Sequence, residues 1–197
     1  MFNKNFFVFL ICSIIYPLPV LAHAFFGKIG FYDGISHPVL GLDHFLAMIS
    51  VGILSAQIGG RAIWTVPSTF VIIMTIGGLF GFLLIIDEFY FVEIGIILSV
   101  ILLGLGITIE KKIPTNLIML FVGTFGLFHG IAHGIEVPAA ANPLLFVLGF
   151  ICGTSALHLF GVGIGYFLIK TTMSLILLRI TGLLFAVYGI YLLNLIF

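Results

Sequence analysis

Two short stretches carry the residues whose types and spacing could do chemistry. The first is His37-Pro38-Val39-Leu40-Gly41-Leu42-Asp43-His44, with Met48 one turn further on. The second is His129-Gly130-Ile131-Ala132-His133-Gly134-Ile135-Glu136. At about 100° per residue, His37, Gly41, His44 and Met48 share one stripe of a helix, and His129, His133 and Glu136 share another. Two histidines one turn apart can hold the same cation, with a glutamate a further turn along. Asp43 lies about 100° round from His44. It reads either as a ligand from a different angle or as an acceptor that fixes the tautomer of a histidine. An aspartate in so apolar a setting needs a reason, since at the centre of a membrane helix it costs about 2.5–3.5 kcal/mol on insertion scales.

Imidazole with carboxylate suits borderline divalent cations: nickel, cobalt, zinc, copper or ferrous iron. It suits magnesium or calcium poorly, because those prefer all-oxygen shells. The five methionines are not clustered, so a cuprous thioether site is excluded. His37, Asp43, His44, His129, His133 and Glu136 are therefore the expected metal-binding set. His23, Met48, Glu93 and His158 are further candidates, as donors or as supports. A polar residue in a membrane helix can also simply bond helices together, for about 0.6 kcal/mol, and His158 reads equally well that way. Glu93 reads equally as a residue of the membrane interface.

The elements that must position these groups are membrane helices. The chain is 62% hydrophobic and 7% charged, with a mean hydropathy of +1.38. Apolar runs long enough to span a bilayer recur along it. The fold class expected is all-α, a polytopic helical membrane protein. Met1 to Ala24 reads as a signal peptide, cut after Ala22 or Ala24, with an uncleaved signal anchor as the alternative. Cleavage after Ala22 leaves His23 as the new N-terminus, whose α-amine and imidazole could chelate together. Residues 23–197 then form one domain of six spans: about Pro38–Gln57, Trp64–Ile86, Phe89–Ile109, Thr115–Glu136, Leu144–Ile169 and Met173–Ile196. Ala24 to Ser36 reads as a lead-in, Pro38 as a first helical position, Pro67 as a first-turn residue, and Gly59-Gly60-Arg61 as a tight turn.

A mature N-terminus in the periplasm places Arg61, Lys111, Lys112 and Lys170 on the cytoplasmic side, with Arg179 in snorkelling reach. The acidic turn Asp87-Glu88 then lies outside, in keeping with the positive-inside rule. All the histidines except His158 fall at or near the outer face. The formal net charge is zero, without a basic block, so nucleic acid is not an expected partner. Cys12 and Cys152 are too few for a disulfide framework or thiolate cluster.

His37 through His44, followed by Met48 and Val51-Gly52, resembles the signature of the HupE/UreJ family of bacterial membrane proteins. Gln57-Ile58-Gly59-Gly60-Arg61-Ala62-Ile63-Trp64, Glu93-Ile94-Gly95 and Phe128-His129-Gly130-Ile131-Ala132-His133-Gly134-Ile135-Glu136 are similar to that family too. The pattern departs at Ile131, where members often carry a further histidine. The resemblance implies a secondary permease for nickel or cobalt in the inner membrane, linked to hydrogenase or urease maturation and not an enzyme. On the residues alone, an intramembrane metal-dependent hydrolase and a metal-binding accessory protein stand as alternatives.

Overall fold

The computed structural model describes residues 30–83, 90–109, 113–137 and 142–197. The signal peptide, His23, Asp87-Glu88, Lys111 and Lys112 lie outside them, as does the side chain of Glu136. The described residues form seven helices: α1 (Phe31–Leu40), α2 (Leu42–Ile58), α3 (Ala62–Leu83), α4 (Tyr90–Ile109), α5 (Thr115–Glu136), α6 (Pro143–Leu168) and α7 (Thr172–Ile196). Helices α3 to α7 are each long and apolar enough to cross a bilayer. Counting α1 and α2 as one bent span gives six.

That bent pair corrects the expectation of one straight span from Pro38. The two helices meet at 87°, and Gly41 between them is extended, with φ −88° and ψ 114°. His37, Gly41, His44 and Met48 therefore do not share one continuous stripe. Pro38 is not a first-turn residue but lies near the end of α1. A proline there has no N–H for the carbonyl a turn earlier, which weakens the last turn. Helix α1 starts inside the expected lead-in because Asp33 Oδ2 accepts from the Gly30 N–H at 2.9 Å, occupying one of the donors a helix start leaves open. Pro67 likewise lies past the first turn of α3, two residues deeper than expected.

Close backbone contact holds the site's helices. A Cβ on Gly34, Gly149 or Gly153 would strike backbone across the α1–α6 contact, and one on Gly52 or Gly161 would do so between α2 and α6. Gly130 and Gly134 of α5 lie against the backbone of Met74 and Gly78 in α3. Small residues allow such approach where lipid gives helices no hydrophobic drive to associate. Behind these contacts sits a core that includes Met48, Val51, Val66, Phe70, Met74, Val100, Leu103 and Val122. Gln57 Nε2 donates to the Ile107 carbonyl at 3.0 Å and ties α2 to α4. The α2–α3 turn runs through Gly59 and Gly60, at φ 76° and 57°, in the left-handed region that glycine enters without a Cβ clash.

Candidate metal site

Helices α1, α2 and α5 bring four imidazoles together. The His133 ring lies 4.8 Å from that of His37 and 4.5 Å from that of His44, centroid to centroid. His44 lies 5.0 Å from His129. Two imidazoles sharing one ion at about 2.1 Å, at right angles or tetrahedrally, would have centroids roughly 4.5–5.2 Å apart. The observed separations fall in that interval. Among the described residues no group of three or more His, Cys, Asp or Glu side chains is arranged to hold a metal ion, and the rings meet edge to face or tilted. The four imidazoles are neighbours without forming a coordination shell.

The bend at Gly41 makes this grouping. It lets His37 on α1 and His44 on α2 reach the same His133 from two directions, which a straight helix with both on one stripe would not do. A Cβ on Gly41 would sit 3.1 Å from both Asp43 Oδ1 and His44 Nδ1, so the glycine leaves room for that pair. Gly130 and Gly134, beside the histidines of α5, admit the backbone of α3.

Hydrogen bonds fix which ring nitrogens carry protons. Asp43 Oδ1 accepts from both the backbone N–H and Nδ1 of His44, each at 2.8 Å. His129 Nδ1 donates to the Phe125 carbonyl at 2.9 Å. Each ring then carries its lone pair on Nε2, the form a metal needs. His129 and His133 are buried, and His129 Nε2 has no hydrogen-bond partner among the described residues. A buried polar atom left unsatisfied costs about 1–3 kcal/mol, and a cation or a hydrogen-bond donor would satisfy this one.

Met48, Glu93 and His158 fall elsewhere. Met48 is buried in the core, and its carbonyl accepts from His158 Nδ1 at 2.8 Å. Glu93 is exposed in the first turn of α4, where its charge complements the helix N-terminus. Glu136 closes α5. Ile131 packs with Val92 and Ile96 of α4, on the face of α5 opposite the histidines.

Three aromatic residues that sequence reasoning missed line the cluster. Phe150 stands 4.2 Å from His133 and 6.1 Å from His37, and Phe146 lies 5.5 Å from His37. Phe70 lies 5.3 Å from His129 on one side and 5.1 Å from His158 on the other. Among 22 phenylalanines, nothing in their own spacing marked these three.

Fold and site together define a multi-pass helical membrane protein that gathers four histidines from two distant segments at one end of its bundle. The chain belongs to the HupE/UreJ family: the family model for the HupE / UreJ protein matches residues 11–192. It is 45% identical over 149 residues to Protein HupE of Rhizobium leguminosarum bv. viciae, which covers 75% of this chain and 77% of that protein. No solved structure matches it. The family is linked to nickel and cobalt uptake, and its members are generally transporters rather than enzymes.

Proposed function

We propose that this protein is a secondary permease that imports Ni²⁺ or Co²⁺ across the bacterial inner membrane. The ion enters at a periplasmic site built from His37, Asp43, His44, His129, His133 and Glu136. The observation that carries the reading is the meeting of His37 and His44 with His133 and His129, four imidazoles from opposite parts of the chain, at ring separations of 4.5–5.0 Å. Intramembrane ionisable clusters mark ion pathways, and this one has the nitrogen-rich character that nickel and cobalt prefer over magnesium or calcium. Asp43 acts through His44, holding its Nε2 lone pair free while adding negative charge beside the cation. Family membership supports the metal class. The imported metal supplies hydrogenase or urease maturation.

Metal uptake into reconstituted vesicles tests this, wild type against His44→Ala and His133→Ala. Each substitution is expected to cut initial uptake by about tenfold or more, the scale on which metal sites respond to lost ligand support. Equal rates in all three proteins would remove the proposed site. Metal binding without accumulation inside the vesicles would point instead to an accessory role.

A further inference from the structure

One face of α6 links the histidine cluster to a second pair of polar groups deeper in the bundle. Phe146, Phe150, Thr154 and His158 recur every four residues along it, and all are buried. The first two pack on His37 and His133. The last two carry polar atoms, Thr154 Oγ1 and His158 Nε2, that lack a hydrogen-bond partner among the described residues. For Thr154 this is a departure from the chain's own habit. Thr65, Thr69, Thr75, Thr108, Thr124 and Thr181 each donate to the carbonyl four residues back. That bond is the ordinary way to satisfy a hydroxyl in an apolar helix. Thr154 has a helical carbonyl at the same position and does not use it. His158, fifteen residues or about 22 Å along α6 from Pro143, is locked by its Nδ1 bond to the Met48 carbonyl. Its Nε2 therefore carries the lone pair.

We infer that Thr154 and His158 form an inner binding station for a divalent transition-metal cation, one step beyond the outer histidine cluster. The inference rests on the permease reading above. The ring of Phe70 separates the two stations, touching His129 above and His158 below. The chemistry of the inner pair suits transit. One neutral imidazole and one hydroxyl replace part of a hydration shell without trapping the ion. Conduction needs such a site, favourable enough to enter and weak enough to leave. The outer cluster, with Asp43 beside it, captures the ion, and the inner pair receives it.

The test uses two readouts on the full-length protein: Ni²⁺ influx into proteoliposomes, and Co²⁺ binding to the same protein in lipid nanodiscs. His158→Asn keeps an N–H to donate to the Met48 carbonyl and removes the Nε2 lone pair. Thr154→Val keeps the side-chain shape and removes the hydroxyl. Influx is expected to fall about tenfold for His158→Asn and severalfold for Thr154→Val, while Co²⁺ affinity at the outer cluster shifts by less than about twofold, because the first ligands are untouched. Influx within about twofold of wild type in both variants would overturn the inference, since helix bonding alone would then account for His158. So would a loss of Co²⁺ binding and influx in step with a lower melting temperature, which would mark a structural role. Wild-type protein that binds Co²⁺ but passes no Ni²⁺ overturns the permease reading and this inference with it. Normal wild-type influx with unaffected variants overturns the inner station alone.

Discussion

A histidine serves a cation only when its lone pair is aimed at the site and its other nitrogen is held. Here the holding groups are the Asp43 carboxylate, the Phe125 carbonyl and the Met48 carbonyl, for His44, His129 and His158 respectively. Asp43→Ala removes one of them without touching a ring. It is expected to weaken Ni²⁺ binding by about 10–100-fold, the usual effect of losing a ligand's supporting partner, as measured by titration calorimetry on folded protein. The same logic sets the pH dependence. A protonated imidazole has no lone pair to give, so binding is present above the imidazole range and lost as pH falls through it. Uptake is expected to decline as pH is lowered from 8 to 5, because protons compete with the metal for the ring nitrogens. A flat uptake profile from pH 5 to 8 would count against a histidine site. The candidate donors stood out in the sequence, because His, Asp and Glu are rare in so apolar a chain. Their acceptors were not, since two of the three are backbone carbonyls that any residue possesses.

At the level of helices, two features position those donors: the break at Gly41 and the contact of α5 with α3. Gly130 sits directly after His129, and a Cβ there would strike the Met74 carbonyl. Gly130→Ala must push α5 off α3, carrying His129 and His133 with it. Such overpacking typically costs about 1–3 kcal/mol. A lower melting temperature and reduced Ni²⁺ uptake are expected together. Gly163→Ala is the control, since a Cβ at Gly163 meets nothing within 4 Å, and it should leave both nearly unchanged. The lengths of α3 to α7 were readable from their apolar runs. The break in the first span was not, because Pro38 and Gly41 are tolerated both in kinked helices and at helix ends.

For the whole molecule, alternation of the helices puts the histidine end and the Arg61 and Lys170 turns at opposite ends of the bundle. Helices α2 and α6 run side by side in the same direction, Gly52 against His158 and Gly165 against Ala56. Lys170 caps its end with its ammonium 4.3 Å from the Tyr166 ring centroid. With the basic turns in the cytoplasm, a cysteine placed at exposed Tyr32 should react with an impermeant maleimide added to intact spheroplasts, and one at Arg61 only after lysis. The opposite labelling pattern would reverse the proposed direction of entry. Composition and apolar run length alone determined that this is a multi-pass helical membrane protein, because a bilayer-spanning backbone must satisfy its hydrogen bonds within helices. The spacing of its histidines singled out two segments as candidates for chemistry. Only the tertiary structure decided that they meet, that a bend turns His37 and His44 toward one partner ring, and that Phe70 stands between the cluster and His158. Those relations depend on how helix backbones approach one another across glycines distant in sequence, and no local pattern encodes that approach.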